Sequence, residues 1–174
     1  MSQSVPSFEE LLDSALHSAV HLEMRDIYSV DEEREHFAAW RQGGRADDPG
    51  SAQWRPWADL VRRTVGRGVV MRRARVVSEP VTEYIRYEHA GTSVNVGAGE
   101  QVRWLPRHRA SDIALPGNDF WLIDDLVVRF NVFTGDGKAA EPQVNKDPSV
   151  IKLCASAFDA VWDRAVPHED FEIV

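Results

Sequence analysis

The sequence predicts an α/β (α+β) fold, a mixed β-sheet flanked by helices, with a helical N-terminal third. Three observations carry that expectation. Apolar residues up to Val65 recur three and four apart, the period of a helix. From Val69 the pattern changes to β-branched runs bounded by glycines, the signature of strands. The chain then closes on one long apolar stripe at helical spacing. Strand, helix, strand, hairpin and covering helix, in that order, imply a mixed sheet with helices packed on it.

The elements follow in order. Ser7 reads as an N-cap with Glu9 and Glu10 in the first turn, and Phe8, Leu11, Leu12, Ala15, Leu16 and Ala19 give a first helix of about four turns. Met24–Tyr28 reads as a short extended piece. A second helix runs from the cap Asp31 to Arg41, with Phe37 and Trp40 on its apolar face, and Gly43 and Gly44 end it. Residues 43–53 form an exposed loop, and Trp54–Val65 a third helix. Val69–Val77 is a buried strand. Glu79–Glu88 reads as a helix with Pro80 in its first turn, followed by a flexible connection at Gly91, Gly97 and Gly99 and a short strand at Val102–Leu105. Phe120–Ile123 and Leu126–Phe133 pair across the tight turn Asp124-Asp125, and residues 134–137 turn again. The last helix, Pro148 to about Ala165, carries Val150, Ile151, Leu153, Cys154, Ala157, Phe158, Val161 and Trp162. The chain reads as a single domain over 1–174, a helical part (1–67) packed on a sheet part (68–167), because about 65 residues alone bury too little surface.

Charge narrows the function classes. With 28 acidic against 20 basic residues the net charge is −8, which speaks against direct binding to nucleic acid, where Lys and Arg must neutralise phosphates. No apolar run approaches the roughly 20 residues that span a bilayer, so no membrane partner is expected. Met1–Pro6 lacks the basic region and apolar core of a signal peptide, and the lone Cys154 has no internal partner; both lead to the expectation of a reducing cytoplasm.

Candidate sites are few. His17 and His21 stand four apart on the expected first helix, a spacing that can offer two imidazoles to one metal, with Glu23 as a third ligand. Ser18 occupies the position where a zinc-protease helix needs Glu, and the bland reading, polar caps on a helix edge, is favoured, so no metal is assigned. Arg62, Arg63, Arg67, Arg72, Arg73 and Arg75 form the densest basic cluster. Arg73 and Arg75 interrupt an apolar strand, so each must face water or pair with a carboxylate such as Glu79, Asp119 or Asp124. Ser78 and Glu79 lie where a strand becomes a helix, a place for ligand contact or simply for a cap. Tyr84, Arg86 and Tyr87 suggest either an exposed anchor for a partner or, for one of the tyrosines, core packing, and Trp121 joins Asp119 in the same candidate set. No nucleophile elbow, phosphate loop or dinucleotide fingerprint is present, so neither a catalytic residue nor a cofactor is assigned. Cys154 falls in an apolar stripe and reads as inert core.

Two resemblances add to this reading. Residues 17–26 (HSAVHLEMRD), 76–88 (VVSEPVTEYIRYE) and 115–121 (LPGNDFW) resemble an uncharacterised family of Streptomyces and related actinobacteria. Its members are often encoded beside helix-turn-helix regulators of the XRE type, which implies a role in transcriptional control and a regulator as protein partner, with a homodimer as a further option. Residues 68–167, with the strand Phe120 to Asp124 and the closing Trp162-Asp163-Arg164-Ala165, are similar to phospholipase D-like domains. Active members of that family carry His-x-Lys, four residues, then Asp. Alignment on Asp124 places Gly117 at the His and Asp119 at the Lys position. A chain without that His has no nucleophile for a phospho-enzyme, and a carboxylate in place of Lys repels phosphate. The reading is a noncatalytic regulatory or binding module that senses a small ligand. The alternative is a small-molecule-binding enzyme with its site at Arg73, Arg75, Glu79, Asp119 and Asp124.

Overall fold

The computed structural model describes residues 5–29 and 31–174. Residues 1–4, part of the stretch read as lacking a signal peptide, lie outside the described residues. Helix α1 (Phe8–Ser14) opens with a capping box: the Ser7 hydroxyl accepts from the Glu10 amide and the Glu10 carboxylate accepts from the Ser7 amide. Strand β1 (Ser18–Glu23) follows, then a 3-10 turn (Asp31–Glu33), α2 (Arg34–Arg41) and α3 (Arg55–Gly66). The second half contains β2 (Val70–Val77), α4 (Glu83–Ala98), β3 (Gln101–Pro106), β4 (Asp119–Ile123), β5 (Val127–Asn131), β6 (Gln143–Asn145), α5 (Pro148–Arg164) and β7 (Val166–Pro167).

The strands form one mixed sheet in the order β6-β5-β4-β1-β2-β3-β7. β1, β2 and β3 run parallel, and the hairpin β4-β5 lies antiparallel beside β1. Each strand splits its side chains between two faces. Val20, Leu22, Ala74, Val76, Phe120, Leu122 and Val128 face α5 and pack on its Cys154, Phe158, Val161 and Trp162. The opposite face is covered by α1, α3 and α4. Among the described residues no helix is long and apolar enough to cross a membrane.

Three sequence expectations are corrected here. The first helix stops at Ser14, and the residues expected to extend it form β1, a central strand. The Asp124 carboxylate causes the switch by accepting hydrogen bonds from the amides of Leu16, His17 and Ser18 at 2.7–2.8 Å, which draws the chain out of the helix. The first third therefore lays α1 and α3 on the sheet and also supplies one of the sheet's inner strands. The helix expected from Glu79 begins instead at Glu83, capped by Thr82, and the Glu79–Pro80 bond is cis. That helix runs on through Gly91 and Gly97 and ends at Gly99, whose φ of +111° suits glycine. A Cβ on Gly91 would lie 2.6 Å from the Trp54 ring, so this glycine lets α4 approach α3. The turn between β4 and β5 has φ of 52° at Asp124 and 54° at Asp125, the primed geometry that matches strand twist.

Candidate functional site

Odd-numbered residues of β1, β2 and β4 turn away from α5. Register places His21 between Arg73 and Trp121, and Glu23 opposite Arg75. The result is a buried charge network. Glu23 accepts from Arg73 Nη1 and Arg75 Nε at 2.5 Å each, and its Oε1 lies 3.1 Å from His21 Nε2. Arg73 Nε donates to Glu100 at 2.8 Å, and Asn95 donates to the other Glu100 oxygen at 2.7 Å. Arg75 Nη1 donates to Thr92 at 2.8 Å. Arg73 lies over Trp57 and Trp121, Arg75 over Trp104, and His21 stacks on Trp121 at 4.2 Å. Burial alone would raise the Glu23 pKa, but the guanidiniums of Arg75 and Arg73 hold it well below the usual carboxylate range.

Above this floor opens a cavity of about 330 Å³, walled by Phe8, Tyr28, Trp54, Trp57, Tyr84, Trp121 and Phe133. Three further carboxyl groups line it: Glu33, Glu88 and Asp119. The Tyr84 hydroxyl donates to Glu33 at 2.6 Å and lies 3.4 Å from Glu88, and the Tyr28 hydroxyl donates to Asp119. Burial raises the pKa of all three. Glu88 is pushed up to about 8, with Arg75 opposing the shift and Glu23 and Glu33 adding to it. In Glu33 and Asp119 the tyrosine hydrogen bonds work against the rise. Glu88 Oε2 and Asn95 Oδ1 are buried with no hydrogen-bond partner among the described residues.

Of the residues singled out from sequence, His21, Glu23, Arg73, Arg75, Tyr84, Asp119 and Trp121 meet at this cavity. The others lie elsewhere. Ser78 donates through both its amide and hydroxyl to Asp26 and receives Arg107; it does not cap a helix. Glu79 stands 3.6 Å from His108. Asp124 holds the start of β1, and the same amides keep its pKa low although burial would raise it. Arg86 is exposed on α4, whereas Tyr84 and Tyr87 are both buried, the core option for the tyrosines. The arginine partners are Glu23 and Glu100, not Glu79, Asp119 or Asp124. His21 sits within β1 and His17 in the bend just before it, off the helix whose turn would bring two imidazoles together on one metal. Among the described residues no group of three or more His, Cys, Asp or Glu is placed to hold a metal ion. The basic cluster is scattered: Arg63 binds Glu9 and Asp13, and Arg72 lies over Phe158 and Trp162 on the opposite face of the sheet. Sequence reading missed Glu33, Glu88 and Asn95 as site residues. A signal existed on α4, where Tyr84, Glu88, Thr92 and Asn95 recur three and four apart as one polar stripe.

The fold is phospholipase D-like. It is similar to Nuc of Salmonella typhimurium, a phospholipase D family member, at 10% identity and TM-score 0.51, covering 91% of this chain and 86% of that one. It is also similar to NucT from Helicobacter pylori at 14% identity and TM-score 0.54, covering 91% and 87%. The match takes in more than the 68–167 stretch that carried the resemblance, consistent with β1 belonging to the sheet. A third similar structure, the archaeal chromatin protein TrmBL2, described as showing a novel mode of DNA binding, matches at 16% identity and TM-score 0.49; the match covers 95% of this chain, which spans about half (49%) of that protein. By sequence the chain belongs to the family described as "Domain of unknown function (DUF6879)", matched over residues 6–172. No curated protein matches it.

Proposed function

We propose that this chain is a noncatalytic module of the cytoplasm that binds a small ligand in the cavity and acts with a helix-turn-helix regulator. The observation that carries the reading is the cavity itself. Its floor is an ion-pair network fixed before any ligand arrives, and its walls are aromatic, the usual make-up of a small-molecule site. Gly117 and Asp119 stand where the resemblance places the His and Lys of active phospholipases, and Asp119 lines this cavity. The partner rests on the resemblance to proteins encoded beside XRE-type regulators.

Two experiments test it. The full chain should not hydrolyse bis(p-nitrophenyl) phosphate; turnover that disappears in Asp119→Asn would overturn the noncatalytic reading. Purification of the tagged chain from its native host should bring down a helix-turn-helix protein, and recovery of the chain alone contradicts the partnership. One feature favours a second reading, an acid–base enzyme: burial in the cavity wall pushes the Glu88 pKa up to about 8, which suits proton transfer near neutral pH.

A further inference from the structure

Within the cavity the acids outnumber the cations that could neutralise them. Arg73 and Arg75 are matched by Glu23 and Glu100, which take their closest hydrogen bonds. Among the described residues Glu33, Glu88 and Asp119 have no cation of their own at that distance; Arg75 Nη2 reaches only to 3.7 Å from Glu88. Two independent features point the same way. Asn95 is 2% exposed with its Oδ1 unpartnered, and Glu88 Oε2 is likewise orphaned. Both residues line the cavity, and an oxygen buried there without a partner calls for an N–H or O–H donor. The walls around them are the faces and edges of aromatic rings, which attract positive charge.

We propose that the cavity binds a protonated amine, a small organic cation whose N–H groups meet Glu88 and Asn95 and whose body lies against the aromatic walls. The proposal rests on the reading of the cavity as a ligand site and names the class of that ligand. An anion fits poorly, because the guanidiniums that would hold it are already engaged by Glu23, Glu100 and Thr92. The arrangement also sets a pH signature. Glu88 faces Arg75 and Arg73 on β2, Glu23 on β1, Glu33 on the 3-10 turn and Tyr84 on its own helix. Ionising it beside Glu23 and Glu33 is costly until a cation arrives, so binding should strengthen as pH rises toward about 8.

The test titrates the full chain with phenethylamine, spermidine, tetramethylammonium, 3-phenylpropionate and inorganic phosphate, reading tryptophan fluorescence and the thermal midpoint. Phenethylamine or spermidine should bind, more than about tenfold more tightly at about pH 8 than at about pH 6, with the anions inert. Glu88→Gln should weaken amine binding about tenfold and flatten that pH dependence, and Glu33→Gln should weaken it less. Should Glu88→Gln fail to fold, the pH profile of the native chain carries the same information. Binding of the carboxylate or phosphate in place of the amines overturns the cation assignment and leaves the cavity reading standing. Tetramethylammonium binding as tightly as the amines overturns the N–H requirement. If none of the five probes perturbs the protein, the cavity reading falls as well.

Discussion

The two faces of the sheet are made from alternate residues of the same strands, yet they hold opposite chemistry. On β2, Ala74 and Val76 pack against α5 in an apolar layer, while Arg73 and Arg75 on the other side sit in a buried ion network under a cavity. The apolar face needs only shape and area removed from water. The charged face needs every partner present, because a buried charge without its counter-ion is far more costly than the intact pair is favourable. One face therefore supplies stability, and the other holds polar groups in a fixed geometry that apolar packing could not provide.

The comparison can be broken most severely from the apolar side. Phe158→Ala should cost about 3–5 kcal/mol in denaturant unfolding, with little dependence on pH. On the charged face Arg75→Met should cost about 3 kcal/mol by leaving Glu23 with one cation. The double variant Glu23→Gln/Arg75→Met restores the balance of Arg73 with Glu100, so it should recover more than half of that loss. A double variant no more stable than the single one would show that packing, not charge, dominates there. Asp124→Ala removes the acceptor of three β1 amides and should cost about 1–3 kcal/mol while leaving the cavity's charged residues in place.

That last contact also explains what was legible in the sequence. Elements whose apolar pattern and ends agreed with their surroundings were readable: α3, β2, the β4-β5 hairpin and α5 fall within a residue or two of expectation, apart from the far end of β5. β1 was hidden because Ala15, Leu16 and Ala19 continue a helical spacing, and the carboxylate that overrides it lies more than a hundred residues away. α4 was cut short because Gly91 reads as a breaker, whereas its bare Cα is what the Trp54 contact requires. The site was half legible. Two arginines inside an apolar strand announce a buried network, but their partners Glu23, at the end of β1, and Glu100, just before β3, are brought beside them only by the fold. Glu88 was invisible as a site residue because its character comes from burial beside Glu23 and Glu33, not from its neighbours in sequence.

The most specific effect lies in the pH dependence. A carboxyl whose folded pKa lies above its ordinary 4.5 favours the folded state while protonated, and that contribution fades as pH rises through the interval up to about 8. Native protein should therefore lose stability relative to Glu88→Gln across that interval and in no other. The surplus of buried acid is measured most directly by titrating the Glu88 side-chain carboxyl carbon by NMR in the folded chain. A midpoint at about 8 is the predicted result, and a midpoint in the ordinary range near 4.5 would contradict it.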